Sequence, residues 1–263
     1  MAKEVFGRHE CKFKVTQQQK DALLADLAGT IENDIYNKDG KPYTIYNYYI
    51  DDIHNTFIQR SVSKPLYKEK LRIRAYEPFC DDTMVFVEIK KKYKKYGNKR
   101  RIMMPFKQAK AFVEKGELPS DLSNINQQVL RELKYTIDKQ RLQLKVHVQY
   151  ERYAYFSIVQ KGLRFTFDTN IISNRIRDKQ RSLLEKNMYI LEIKAEQSFP
   201  LWLVKLLQKH KIYKQSFSKI GKEYELYTKE RKEMKQHQEE LYVRNTFKYE
   251  YGYNNAVAHK STT

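Results

Sequence analysis

Cationic side chains recur in this chain at two-residue spacing. Lys70, Arg72 and Arg74 do so in KLRIRAY, Lys99 and Arg101 in KRRIMM, and Arg152 adds a cation in QYERYAYF. Carboxylates join the same spacing: Arg8, Glu10 and Lys12 near the start, Glu88 and Lys90 in VFVEIKKK, Arg164, Thr166 and Asp168 in LRFTFDT, and Glu192 and Lys194 in ILEIKA. Arginine presents a planar fork that matches phosphate oxygens two at a time, and lysine a compact point charge. Glu stands two residues ahead of Lys in Glu10–Lys12, Glu88–Lys90 and Glu192–Lys194, and such carboxylates suit the hard divalent cations that travel with phosphates. The chemistry these residues could perform is therefore the binding or transfer of phosphoryl groups. A P-loop route is excluded, since GxxxxGK[ST] is absent. The six histidines, His9, His54, His147, His210, His237 and His259, are dispersed and read as surface or core residues, not as a catalytic base.

Spacing by two places side chains on one face of a β-strand. The segments that must position these charges read as strands over Val5–Val15, Tyr43–Asp51, Lys68–Tyr76, Met84–Lys92, Lys99–Met104, Leu142–Tyr155, Leu163–Thr169 and Tyr189–Ala195, each alternating charges with apolar residues. For any single strand, one solvated face of an antiparallel sheet accounts for the pattern. Across all eight, Arg and Lys recur in pairs where a solvated face would mix in Ser, Thr, Gln and Asn. A sheet closed into a barrel gathers every charge in one lumen. There their repulsion demands a polyanion and interspersed carboxylates.

Helices interrupt the strands. Thr16 and Gln19 form a capping-box pattern ahead of a helix to Thr30. Pro105 and Gly116 bracket a second, at its N1 and C′ positions. A third follows Ser120 with Ile125, Val129, Leu133 and Ile137 on one face, a fourth follows Pro200, and a charged fifth runs from Glu223 to Val243. The tail from Asn245 reads as disordered. The fold class expected is α+β, with the 105–139 helices an insertion and not a domain.

The chain has 263 residues, 51 Lys and Arg against 32 Asp and Glu, and a formal net charge of +19, which calls for an anionic partner such as nucleic acid, a phosphate compound or an acidic membrane surface. Cys11 and Cys80 sit in no CxxC pair, the pattern of reduced thiols in a cytosolic protein. The start, MAKEVFGRHE, lacks an apolar signal core, and no apolar run approaches a membrane span, so a soluble cytoplasmic protein is expected.

In order, R-x-E-x-K, K-L-R-I-R-x-Y, V-E-I-K, K-R-R, Y-x-R-x-A, R-x-T-x-D, L-E-I-K and F-S-K resemble the VTC domain of the triphosphate tunnel metalloenzyme superfamily, from about Phe6 to Tyr224. The resemblance implies an eight-stranded antiparallel tunnel barrel with peripheral helices over residues 1–230, followed by a charged C-terminal helix and disordered tail over 231–263. It implies a polyphosphate polymerase that uses ATP and a divalent metal, manganese or magnesium. Arg72, Arg74 and Lys90 would neutralise the transferring group. Lys12, Lys70, Lys99, Arg101, Arg152, Arg164, Ser218 and Lys219 would bind phosphates, Ser218 near the tunnel mouth. Glu192 would hold the metal, with Glu10 and Glu88 as further metal or tunnel carboxylates. Arg8 stands where the wider superfamily's E-x-E-x-K has its first Glu, which favours the polymerase branch over triphosphatases and cyclases. The phosphate-sensing domain and membrane helices of eukaryotic relatives are not in this sequence, so any membrane-protein partner is encoded elsewhere. The partners expected are ATP and inorganic polyphosphate, not nucleic acid. Two rivals stay open: a triphosphatase in the same tunnel, with water as acceptor, and a non-enzymatic polyanion-binding module supported by the net charge and the run KKKYKKYGNKRR.

Overall fold

The computed structural model describes residues 9–63, 65–94, 96–121, 123–175 and 178–258, with backbone only at 38 and 243–258. Eight antiparallel strands form one continuous sheet: β1 (His9–Thr16), β3 (Tyr43–Asp51), β4 (Tyr67–Ala75), β5 (Met84–Tyr93), β6 (Tyr96–Pro105), β7 (Gln143–Ser157), β8 (Arg164–Arg175) and β10 (Met188–Ala195). Their order across the sheet is β1-β10-β8-β7-β3-β4-β5-β6. Two three-residue strands flank this path, β2 (Ile31–Asn33) on β7 and β9 (Gln180–Ser182) on β8. The eight expected strands correspond to the eight of the main path; residues 5–8 and Arg8 lie outside the described residues.

The sheet curls until β1 and β5 approach, yet no described ladder joins its end strands, β1 and β6. The free edge of β1 is taken by the segment after residue 213: Phe13 bridges Lys214, and the Gln215 amide donates to the Lys12 carbonyl at 2.8 Å. A short seam of irregular chain thus does part of the closing that a barrel assigns to strand pairing.

The strands' apolar parity faces outward onto two helix-covered cores. Leu71, Ile73, Val85, Val87 and Ile89 pack with Phe112, Val113, Leu130 and Leu133 of α3 (Phe106–Lys115) and α4 (Gln127–Asp138). Phe165, Phe167, Leu191 and Ile193 pack with Leu23 of α1 (Gln17–Asp26) and Leu203 and Leu207 of α5 (Leu201–Lys209). Each fully buried side chain of this size contributes about 1.5–3 kcal/mol, and this drives the alternate residues inward.

The helix boundaries have local causes. Thr16 and Gln19 close the capping box at α1. Gly116, at φ 72°, ends α3 in the left-handed region that glycine adopts without strain. The Asn126 side chain caps α4 by accepting from the Gln128 and Val129 amides. A seven-residue helix, α2 (Thr56–Val62), was not expected from the sequence. It is anchored by buried Asp51, whose carboxylate accepts from the Phe57 and Ile58 amides at 3.0 and 2.9 Å.

The chain divides into two compact units, after Lys222. The last helix, α6, spans Lys219–Ala258, so helix replaces the disorder expected over 245–258, while 259–263 lie outside the described residues. Exposed pairs such as Lys229–Glu233 and Lys235–Glu239 support it at i,i+4 spacing. Among the described residues no helix is long and apolar enough to cross a membrane.

Candidate active site

The inward parity of the strands encloses a cavity of about 490 Å³. Twelve Lys or Arg side chains line it against three carboxylates, Glu10, Glu88 and Glu192, so the site is strongly cationic throughout. Of the residues singled out in the sequence, Lys12, Lys70, Arg72, Arg74, Lys90, Lys99, Arg152, Ser218, Lys219 and all three glutamates are brought together here. Arg101 and Arg164 are not. Both are exposed on their strands, with guanidinium groups over the rings of Phe86 and Phe156, at 4.2 and 4.6 Å from the ring centres.

Each carboxylate organises the cations around it. Glu88, in register with Arg72, accepts from Arg72 Nε at 2.6 Å and meets Lys99 Nζ at 2.6 Å. Burial alone would raise its pKa, but Arg72, then Arg74 and Lys99, outweigh burial and bring it down to about 2. Buried Asp168, under the lumen floor, takes a two-pronged bond from Arg152 and a further bond from Lys219. Those two cations overcome burial and hold it at about 2. Glu192 meets Lys194 at 2.6 Å and Lys12 at 3.4 Å, and Glu10 reaches Lys12 and Lys90 at 3.9 and 4.0 Å. The last contact spans β1 to β5, across the lumen.

Two further cations are held by neutral groups. Arg74 Nε donates to Asn47 Oδ1 at 3.0 Å and Nη2 to the Tyr150 hydroxyl at 3.1 Å. Lys70 Nζ donates to Ser218 Oγ at 3.1 Å. Burial, then Lys12, Lys68, Lys90 and Arg72, bring Lys70 down to about 7. Burial likewise brings Lys99 down to about 8, against the pull of Glu88. Bound phosphate favours the charged form of a lysine this depressed.

Sequence reasoning missed Tyr150. Tyr150 stands two residues before Arg152 on β7, in unbroken register with β3, and so shares its lumen-facing parity; the irregularity nearby puts its extra residue on β8, at Asn170 with φ 48°. Its hydroxyl is brought down to about 8, because Arg74, Arg152 and Lys219 outweigh its burial. The irregular segment 214–217 was missed too, having no periodicity to mark it. It contributes Lys214, Gln215, Ser216 and Phe217 to the lining, and the Phe217 carbonyl accepts from Lys12 Nζ at 3.2 Å. Lys68, Lys92 and Tyr49 complete the lumen-facing parity of their strands.

For a metal, the donors on offer are hard oxygens: Glu192, Glu10 and the buried Thr166 hydroxyl, which has no hydrogen-bond partner and stands in register with Glu192. Among the described residues no group of three or more His, Cys, Asp or Glu could hold a metal ion. So sparse a set fits a magnesium-like or manganese-like ion that keeps most of its ligands as phosphate and water oxygens, not one held in a protein cage.

Among curated proteins no match to the chain was found. Among solved structures, a Bacillus halodurans protein described provisionally as an adenylate cyclase is 16% identical, with 81% of this chain and 95% of that one covered and a TM-score of 0.49. A Vibrio parahaemolyticus protein described in the same way is 12% identical, over 80% and 94%, at 0.43. The VTC domain profile matches residues 7–228. That span holds every strand and every cavity-lining residue named above, and the chain belongs to the VTC domain family, with the triphosphate tunnel fold of an enzyme that binds triphosphates.

Proposed function

We propose that the tunnel transfers the γ-phosphoryl group of ATP to the end of an inorganic polyphosphate chain. A terminal phosphate oxygen of the chain bonds to the γ-phosphorus. The bond from that phosphorus to the β–γ bridging oxygen breaks, and ADP leaves with the electron pair. The attacking oxygen is already anionic, so no strong base is needed, and none of the lining residues is a histidine. Catalysis of this kind is positioning and charge neutralisation.

The observation that carries the reading is the imbalance of the cavity, twelve cations against three carboxylates in about 490 Å³. Arg72, Arg74, Arg152 and Lys90 would hold the reacting phosphates, with Arg72 and Arg152 kept in place by Glu88 and Asp168. Lys12, Lys70, Lys99, Ser218 and Lys219 would track the rest of the chain. Glu192, with Glu10, would hold a divalent cation, which when bound supplies further neutralisation of phosphate charge. The setting proposed for this reaction is the cytoplasm. The test is purified protein with ATP and manganese, followed by gel analysis. Long polymer is expected; free phosphate alone would make the protein a triphosphatase, and tight polyphosphate binding with no turnover a binding module.

A further inference from the structure

Arg101 and Arg164 lie on lumen-side strand positions yet outside the cavity, each against an aromatic ring. Beside Arg101 and its ring partner Phe86 the lumen-side residues change character. Tyr76, just past the end of β4, follows Arg74 at two residues. Phe86 precedes Glu88 at two and is the register partner of Arg74, and Tyr43 is the register partner of Arg152. The aromatics touch one another. Tyr36 and Tyr76 stack with centroids 6.1 Å apart and planes 9° apart, Tyr43 lies 5.8 Å from Tyr36, and Phe86 meets Tyr76 edge-on at 6.3 Å. Tyr36 remains 59% exposed and Tyr76 43%. Toward the opposite end, β4 and β5 offer lysines in register, Lys70 with Lys90 and Lys68 with Lys92. The two ends therefore differ in chemistry: lysine pairs at one, exposed rings at the other, joined by the arginines of the centre.

Exposed rings that continue directly from a phosphate-sized cationic cavity suit a ligand with an anionic tail and a flat aromatic head. We infer that Tyr36 and Tyr76 form a stacking site for the nucleobase of a nucleoside triphosphate whose phosphates reach Arg74 and Arg152. The lysine end is then left to the growing phosphate chain. This inference rests on the reading of the tunnel as a triphosphate site. It adds a head-group site that tripolyphosphate, having no base, does not use.

The test compares ATP and tripolyphosphate binding by calorimetry in wild type and in the Tyr36→Ala/Tyr76→Ala double variant. Both rings are largely exposed, so the melting temperature should hold. ATP affinity is expected to fall roughly tenfold, the effect of one lost base–aromatic stack, while tripolyphosphate affinity stays within twofold. Tyr36→Phe/Tyr76→Phe, which keeps the rings, should restore ATP binding. ATP and tripolyphosphate weakened equally, or neither weakened, would overturn the stacking site and leave the tunnel reading intact. Wild-type protein that binds neither ligand would overturn both.

Discussion

Arg152 grips Asp168 through two parallel hydrogen bonds, Nε to Oδ1 at 2.6 Å and Nη2 to Oδ2 at 2.8 Å, and Lys219 donates to the same carboxylate. Asp168 is 1% exposed, so this one buried charge ties β7 to β8 and to the start of α6. Removing a partner from such a group leaves two cations uncompensated, which costs about 3–5 kcal/mol. Asp168→Asn is therefore expected to lower stability by that amount in urea denaturation, with tripolyphosphate recovering part of the loss. The pH dependence follows from the same depression. Asp168, at about 2 against an ordinary 3.8, and Glu88, at about 2 against 4.5, contribute stability that is fully present above their unfolded values. That contribution is lost as pH falls from about 4.5 toward 2. An Asp168→Asn protein whose urea midpoint equals wild type would remove the carboxylate from this role.

Much of this site was legible because strand parity is a rigid rule. Once Arg72 and Arg74 were read as sharing a face, burial of Leu71 and Ile73 left that face no direction but the lumen. Parity does not say where a lumen ends, so Arg101 and Arg164 were grouped with the cavity residues although they lie beyond it. Parity did place Tyr150, two residues before Arg152, on the lumen face, but a search for charges passed over a phenol. The short helix α2 escaped for a different reason: its anchor, Asp51, is a tertiary contact from a strand and not a local cap. The seam at 214–217 is irregular backbone, whose position is decided by the free edge of β1 and not by its own sequence.

Lys70 and Lys99 make polyanion binding proton-linked. With free-state values of about 7 and about 8, both are partly neutral in mildly alkaline solution, and bound phosphate favours their charged forms. Tripolyphosphate binding at pH 8 is expected to take up protons, and affinity should fall as pH rises from 7 to 9. Calorimetry in two buffers of different ionisation enthalpy measures the uptake. Lys70→Arg, which cannot lose its charge in this range, should take up fewer protons, and that comparison subtracts the titration of the ligand itself. Equal uptake by the two proteins would return Lys70 to ordinary behaviour.

Arg74 is 8% exposed, and Asn47 and Tyr150, both neutral, are its hydrogen-bond partners. Arg74→Ala leaves those two acceptors unmet, at about 1–3 kcal/mol, but relieves repulsion among the neighbouring cations. The melting temperature of the free protein is expected to change little. Tripolyphosphate should raise the melting temperature of wild type strongly and of the variant less, because only ligand bound to the native state contributes. Polymer synthesis should be lost. A ligand shift equal in both proteins would remove Arg74 from the phosphate site, and no shift in either would remove the tunnel reading.

Glu192 separates two roles that look alike in a static structure. As a countercharge it neutralises Lys194 and Lys12, at 2.6 and 3.4 Å. As a metal ligand it would share its oxygens with a divalent cation delivered by the substrate. The roles predict opposite results for Glu192→Gln. Loss of a countercharge frees two lysines and tightens tripolyphosphate binding, with turnover preserved. Loss of a metal ligand acts on charge that develops during transfer, so kcat should fall on the order of a hundredfold while nucleotide affinity changes little. The second outcome is expected. Steady-state kinetics at saturating manganese gives kcat, and calorimetry of tripolyphosphate without metal isolates the countercharge effect. An unchanged kcat together with tighter metal-free binding would assign Glu192 to the lysines alone.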